Sequence, residues 1–172
     1  MFYAIASWST GSWAQTQLSA IRPSAPAEVR LEESLAAFAA ADREHLPPTG
    51  GVLFVGSSSI RLWNDLESQF ATRPVVIKRG FGGSKMSDCT RYLGRLVIPY
   101  KPHLVLVYAG DNDIAEGKSP TDVLASFQKF VEGIHKELPA TRIAYISIKP
   151  SPARAALIPQ IQETRTKMES TP

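Results

Sequence analysis

The sequence predicts an α/β fold, a parallel sheet covered on both faces by helices. Two observations carry that prediction. Short, nearly continuous apolar runs recur at "VLFVG", "PVVIKRG", "HLVLVYAG" and "TRIAYISIKP", the pattern of strands buried on both faces. Between them lie stretches with apolar residues at helical spacing. Strands that alternate with helices join through right-handed crossovers, which makes neighbouring strands parallel.

The elements follow in order. "EVRLEESLAAFAAADREHL" places Val29, Leu31, Leu35, Phe38 and Ala39 near helical spacing and stops at Pro47-Pro48. "VLFVG" is the first strand and "SIRLWNDLESQF" the helix after it. "PVVIKRG" is the second strand, followed by the helix "MSDCTRYLGRLVI". "HLVLVYAG" is the third and most hydrophobic strand. The long amphipathic helix "PTDVLASFQKFVEGIHKEL" follows, with Pro120 near its start. "TRIAYISIKP" is the fourth strand, and "SPARAALIPQIQETRTKM" reads as a closing helix despite Pro159. Upstream, residues 1–27 read as a disordered leader and linker. "MFYAIASWSTGSWAQTQLSA" carries no charge before Arg22, and "RPSAPAEVR" is rich in Pro and Ala. Residues 28–172 form the expected domain.

Bulk properties narrow the function classes. At 172 residues the chain suits one domain with a real core. The formal net charge of +3 is small and scattered, which argues against a nucleic-acid partner. No run approaches the ~20 apolar residues of a membrane span. A single cysteine, Cys89, excludes an internal disulfide framework and reads as a small semi-buried residue.

In open parallel sheets, ligands bind beyond the carboxyl ends of the strands. Four segments follow strands: "GSSS", "GFGGSKMSD", "GDNDIAEG" and "KPSPAR". After Gly56, a serine opening a helix has its own backbone N–H free in the first turn, so its hydroxyl can attack a carbonyl beside an oxyanion donor. The same serines can equally serve as a helix cap. A phosphate cradle would need a lysine or glycine spacing that does not follow the first strand. "GFGG" allows close backbone approach, and Asn112 of "GDND" carries a side-chain amide able to donate to an oxyanion. Either segment is also a common turn. Their appearance in order after successive strands favours the catalytic reading.

Together these residues resemble the SGNH hydrolases, also called GDSL esterases and lipases. The resemblance runs from about Val52 to Pro150. Gly56-Ser57-Ser58 matches the first block, with Ser58 at the nucleophile and Ser57 in place of the usual Asp. Gly83 matches the oxyanion-hole glycine and Asn112 of Gly110-Asp111-Asn112-Asp113 the oxyanion-hole asparagine. The resemblance implies a flavodoxin-like three-layer sandwich, typically of five strands, and ester hydrolysis through an acyl-enzyme. It implies a small-molecule ester as substrate and neither cofactor nor metal. Ser58 would attack, and the Ser58 and Gly83 amides with the Asn112 carboxamide would hold the oxyanion.

The family's last block, Asp-x-x-His after a fifth strand, has no counterpart in the sequence. The histidines are His45, His103 and His135, and all fall at the opposite end of the sheet. A base must stand within ~3 Å of its proton, and a strand of this length separates the ends by ~17–20 Å. The expectation is therefore an esterase domain cut short and impaired. The alternative is a catalytically inactive remnant that binds a ligand. Without a fifth strand, the fourth strand "RIAYISI" becomes an apolar edge open to a second copy of the chain.

Overall fold

A computed structural model describes residues 26–70 and 75–170. The expected leader therefore lies almost wholly outside the described residues. Helix α1 (Ala27–Glu44) starts at the last leader position. Strands β1 (Val52–Gly56), β2 (Val76–Gly80), β3 (Leu104–Tyr108) and β4 (Arg142–Tyr145) form one parallel sheet in the order β2-β1-β3-β4. The pairing is in simple register, Val52 opposite both Val76 and Leu104, and Leu104 opposite Arg142.

Side chains alternate across each strand, and the alternation divides the core in two. Leu53, Val55, Ile77, Val105 and Val107 point to one face. There they meet α1, α4 (Met86–Arg91), α5 (Leu93–Leu96) and α7 (Pro120–Glu137) through residues such as Leu35, Cys89, Leu96 and Phe130. Phe54, Leu106 and Tyr108 point to the other face, against Ile60 of α2 (Ser58–Arg61) and Leu66 of α3 (Leu66–Gln69). The result is a three-layer α/β sandwich with one thick and one thin outer layer.

Several elements differ from their sequence pattern. The first crossover is not one helix, because Asn64 and Asp65, both turn-formers, separate α2 from α3. The second breaks at Tyr92 and closes in a 3-10 turn at Ile98–Tyr100 that contains Pro99. The "GDND" segment is a short helix, α6 (Asp111–Ala115), rather than a loop. The fourth strand pairs only over Arg142–Tyr145, so the exposed edge is shorter than expected. The closing segment divides at Pro159. A 3-10 stretch covers Pro152–Leu157, and α8 (Ile158–Glu169) carries the proline in its first turn, where no N–H is needed. Cys89 is fully buried, more than expected.

Helix α1 is anchored by more than its apolar stripe. Arg79, on β2, reaches Asp42 at 2.6 Å and donates from Nε to Tyr100 Oη at 2.8 Å. Tyr100 Oη in turn donates to Asp42. The guanidinium also stacks over Tyr100 and Phe38, 4.5 and 5.1 Å from the ring centres. Arg95 pairs with Glu32 and Arg91 with Glu28 farther along the helix.

Candidate active site

β1 leaves the sheet at Gly56, whose φ is +137°. A Cβ there would stand 1.9 Å from the Tyr108 carbonyl oxygen, so only glycine lets the chain turn this close to β3. The Ser57 N–H donates to that same carbonyl at 2.9 Å. Ser57 is fully buried, and its hydroxyl donates to Asp111 Oδ1 at 3.3 Å. No serine side chain caps α2, contrary to the cap reading. The hydroxyl that would have capped it is spent on the β3 loop instead.

Ser58, the first residue of α2, is only half-buried. It stands between two clefts. One, of about 610 Å³, is also lined by Arg30, Glu33, Arg61, Gly82 and Gly83. The other, of about 640 Å³, is lined by Trp63, Tyr108, Asp111, Lys149 and Arg154.

Gly83 lies exposed in the loop after β2, at φ +79°. That conformation suits glycine and turns successive amides outward. The loop is fastened from both sides: Phe81 N–H donates to the Gly56 carbonyl at 2.9 Å. Met86 N–H donates to the Asp113 carboxylate at 2.9 Å. Asp113 is 3% exposed, and burial raises its pKa above the usual carboxylate value, opposed by the Met86 amide.

The Asn112 carboxamide is held at both ends. Its Nδ2 donates to the Ser84 carbonyl at 2.9 Å, and its Oδ1 accepts from Arg154 at 2.7 Å. A carboxamide nitrogen carries two N–H groups, so one remains beyond the bond to Ser84. Arg154 also pairs with Asp111 Oδ2 at 2.9 Å. One guanidinium thus ties the loop after β4 to the loop after β3, and through Asp111 to Ser57. The sequence reading noted "KPSPAR" as a loop at this end but gave Arg154 no role. Its place in "KPSPAR", a segment rich in turn residues after the fourth strand, was the only available signal.

The three site residues named from the sequence come to the same end of the sheet. Ser58 and Gly83 share a cleft, and Asn112 bonds to the residue next to Gly83. The histidines do not join them. His103 contacts the Gly50 carbonyl before β1, and His135 contacts the Thr141 carbonyl before β4 at 3.0 Å. His45 follows the end of α1 and also precedes β1. Among the described residues, no three His, Cys, Asp or Glu side chains gather as a metal site, and no helix is long and apolar enough to cross a membrane.

Known proteins share this architecture. A protein from Streptococcus pneumonia described as a platelet activating factor superposes with a TM-score of 0.70 at 19% identity. The match covers 81% of this chain and 68% of that one. A GDSL-like lipase from Bacteroides thetaiotaomicron gives 0.68 at 20% identity, over 79% of this chain and 71% of its own. A carbohydrate esterase family 3 protein from Talaromyces cellulolyticus gives 0.58 at 18%, over 70% and 71%. At these identities the likeness concerns the fold alone. No curated protein matches the sequence. The GDSL-like lipase/acylhydrolase family pattern, however, matches residues 49–170, most of the chain and every loop described above, and the protein belongs to that family.

Proposed function

We propose that the chain carries the nucleophile and oxyanion hole of a serine ester hydrolase, and that it turns over slowly for want of a base. Ser58 Oγ attacks the ester carbonyl. The backbone N–H groups of Ser58 and Gly83 and the second Nδ2 hydrogen of Asn112 receive the oxyanion. Collapse expels the alcohol and leaves Ser58 acylated, and water then releases the acid. The observation that carries the reading is the shared cleft of Ser58 and Gly83, with Asn112 bonded to Ser84, the residue next to Gly83, and held by Arg154.

Proton transfer limits this chain. None of His45, His103 and His135 lies among the loops that hold Ser58, so the serine proton passes to water, a weak acceptor. Loss of the histidine from a serine triad costs on the order of 10⁶ in kcat. Hydrolysis of p-nitrophenyl acetate by the 172-residue polypeptide should therefore barely exceed that of Ser58→Ala. Prolonged incubation with a fluorophosphonate should label Ser58 and neither Ser57 nor Ser59 in peptide mass spectra. Fast Ser58-dependent turnover would overturn the impairment, and label on another serine would overturn the assignment. For partners, we propose a small-molecule ester and a second copy of the chain against the free edge of β4.

A further inference from the structure

We propose that the cleft shared by Ser58 and Gly83 selects esters bearing an anionic group, which Arg30 and Arg61 hold; this rests on the reading of Ser58 as nucleophile. One wall of that cleft is α1, which contributes Arg30, Glu33 and Ser34. Helix α1 lies outside the family-matched residues 49–170. It is rigidly placed, because Leu31 and Leu35 are buried and Asp42 is tied to Arg79 and Tyr100.

Two guanidinium groups converge on consecutive glycines. Arg30 Nη2 stands 3.7 Å from the position a Cβ of Gly83 would take. Arg61 Nε stands 3.0 Å from the corresponding position on Gly82. A side chain at Gly82 would displace Arg61, so the bare backbone is what admits the cation. Neighbouring Cα atoms are ~3.8 Å apart, which puts both forks a few ångströms from the proposed oxyanion donor. A guanidinium binds carboxylate or phosphate oxygens through paired N–H donors. Among the described residues lining this cleft, Glu33 is the one acidic side chain against two arginines, so this lining is net positive. An ester whose carbonyl lies at Ser58 would place a charge a few bonds away against that wall.

The test is binding, which needs no turnover. The ¹⁵N-labelled chain is titrated with monomethyl succinate and with methyl pentanoate, a neutral ester of similar size, following the Gly82 and Gly83 amide signals. Charge-assisted hydrogen bonds predict about tenfold tighter binding of the anionic ester. The preference should vanish in Arg30→Gln/Arg61→Gln, fall with added salt, and rise in Glu33→Gln. Equal affinities, no saturable binding of either ester, or a preference that survives the double substitution would each overturn the proposal. Ser58→Ala should keep the preference. Fluorophosphonate labelling without anion preference sinks the specificity proposal, whereas anion preference without labelling sinks the nucleophile.

Discussion

Three adjacent serines have two different fates. Ser57 is buried and bonded to Asp111, while Ser58 and Ser59 are half-buried at the cleft. The difference originates at Gly56, where φ +137° and the nearby Tyr108 carbonyl leave no room for a side chain. Gly56→Ala should cost about 3 kcal/mol or more, read as a lower urea midpoint. Asp113 gives a pH signature. Its folded-state pKa is raised by burial, so between about pH 4 and that higher value the folded chain holds a proton the unfolded chain has lost. Stability therefore falls as pH rises through this window. Asp113→Asn should abolish that fall, so the urea midpoint of the variant relative to the parent should climb from about pH 4 toward neutrality. An unchanged difference would show that Asp113 is no more proton-bound in the folded chain.

At the level of elements, the loops are joined by polar contacts more than by packing. Arg154 bridges Asp111 and Asn112. The pair is partly buried, with the two side chains 28% and 14% exposed. Arg154→Met should cost about 1–2 kcal/mol, because it strands the Asp111 charge and the Asn112 carbonyl. Arg154→Lys should recover less than half of that, since an ammonium lacks the planar fork that spans both partners. Urea titration of the three chains checks both statements. Helix α1 shows the same principle on the thick side of the sheet, where buried Arg79 fixes the helix through Asp42 and Tyr100.

For the molecule as a whole, the edge of the sheet is the surface on which a second copy would pair. Among the described residues, β4 has a single strand neighbour, β3. The Arg142 and Ile146 N–H groups bond to His103 and Val107 of that neighbour's side, so alternation directs the Ile143 and Tyr145 N–H groups outward. A second copy pairing there should appear as a concentration-dependent dimer in sedimentation equilibrium. Ile143→Pro, which removes an outward N–H and no ladder bond, should return the chain to monomer. A monomer at all concentrations would remove the second copy as a partner.

The parallel α/β plan and the placement of Ser58, Gly83 and Asn112 beyond the carboxyl ends of the strands were legible in the sequence. Strand runs, crossovers and turn residues are local signals, and the carboxyl-end rule converts their order into location. Other features depended on distant residues. Ser57 gave up its capping role because Asp111 lay within reach. No local pattern in the sequence assigns Arg154, Arg79 or Arg30 a role. Only the tertiary structure brought Arg154 to Asn112, Arg79 to Asp42 and Arg30 to Gly83. The sequence by itself determined which residues lie at which end of the sheet. The tertiary structure decided which charges hold those residues in place, because a side chain's partner is set by distance in space rather than spacing along the chain.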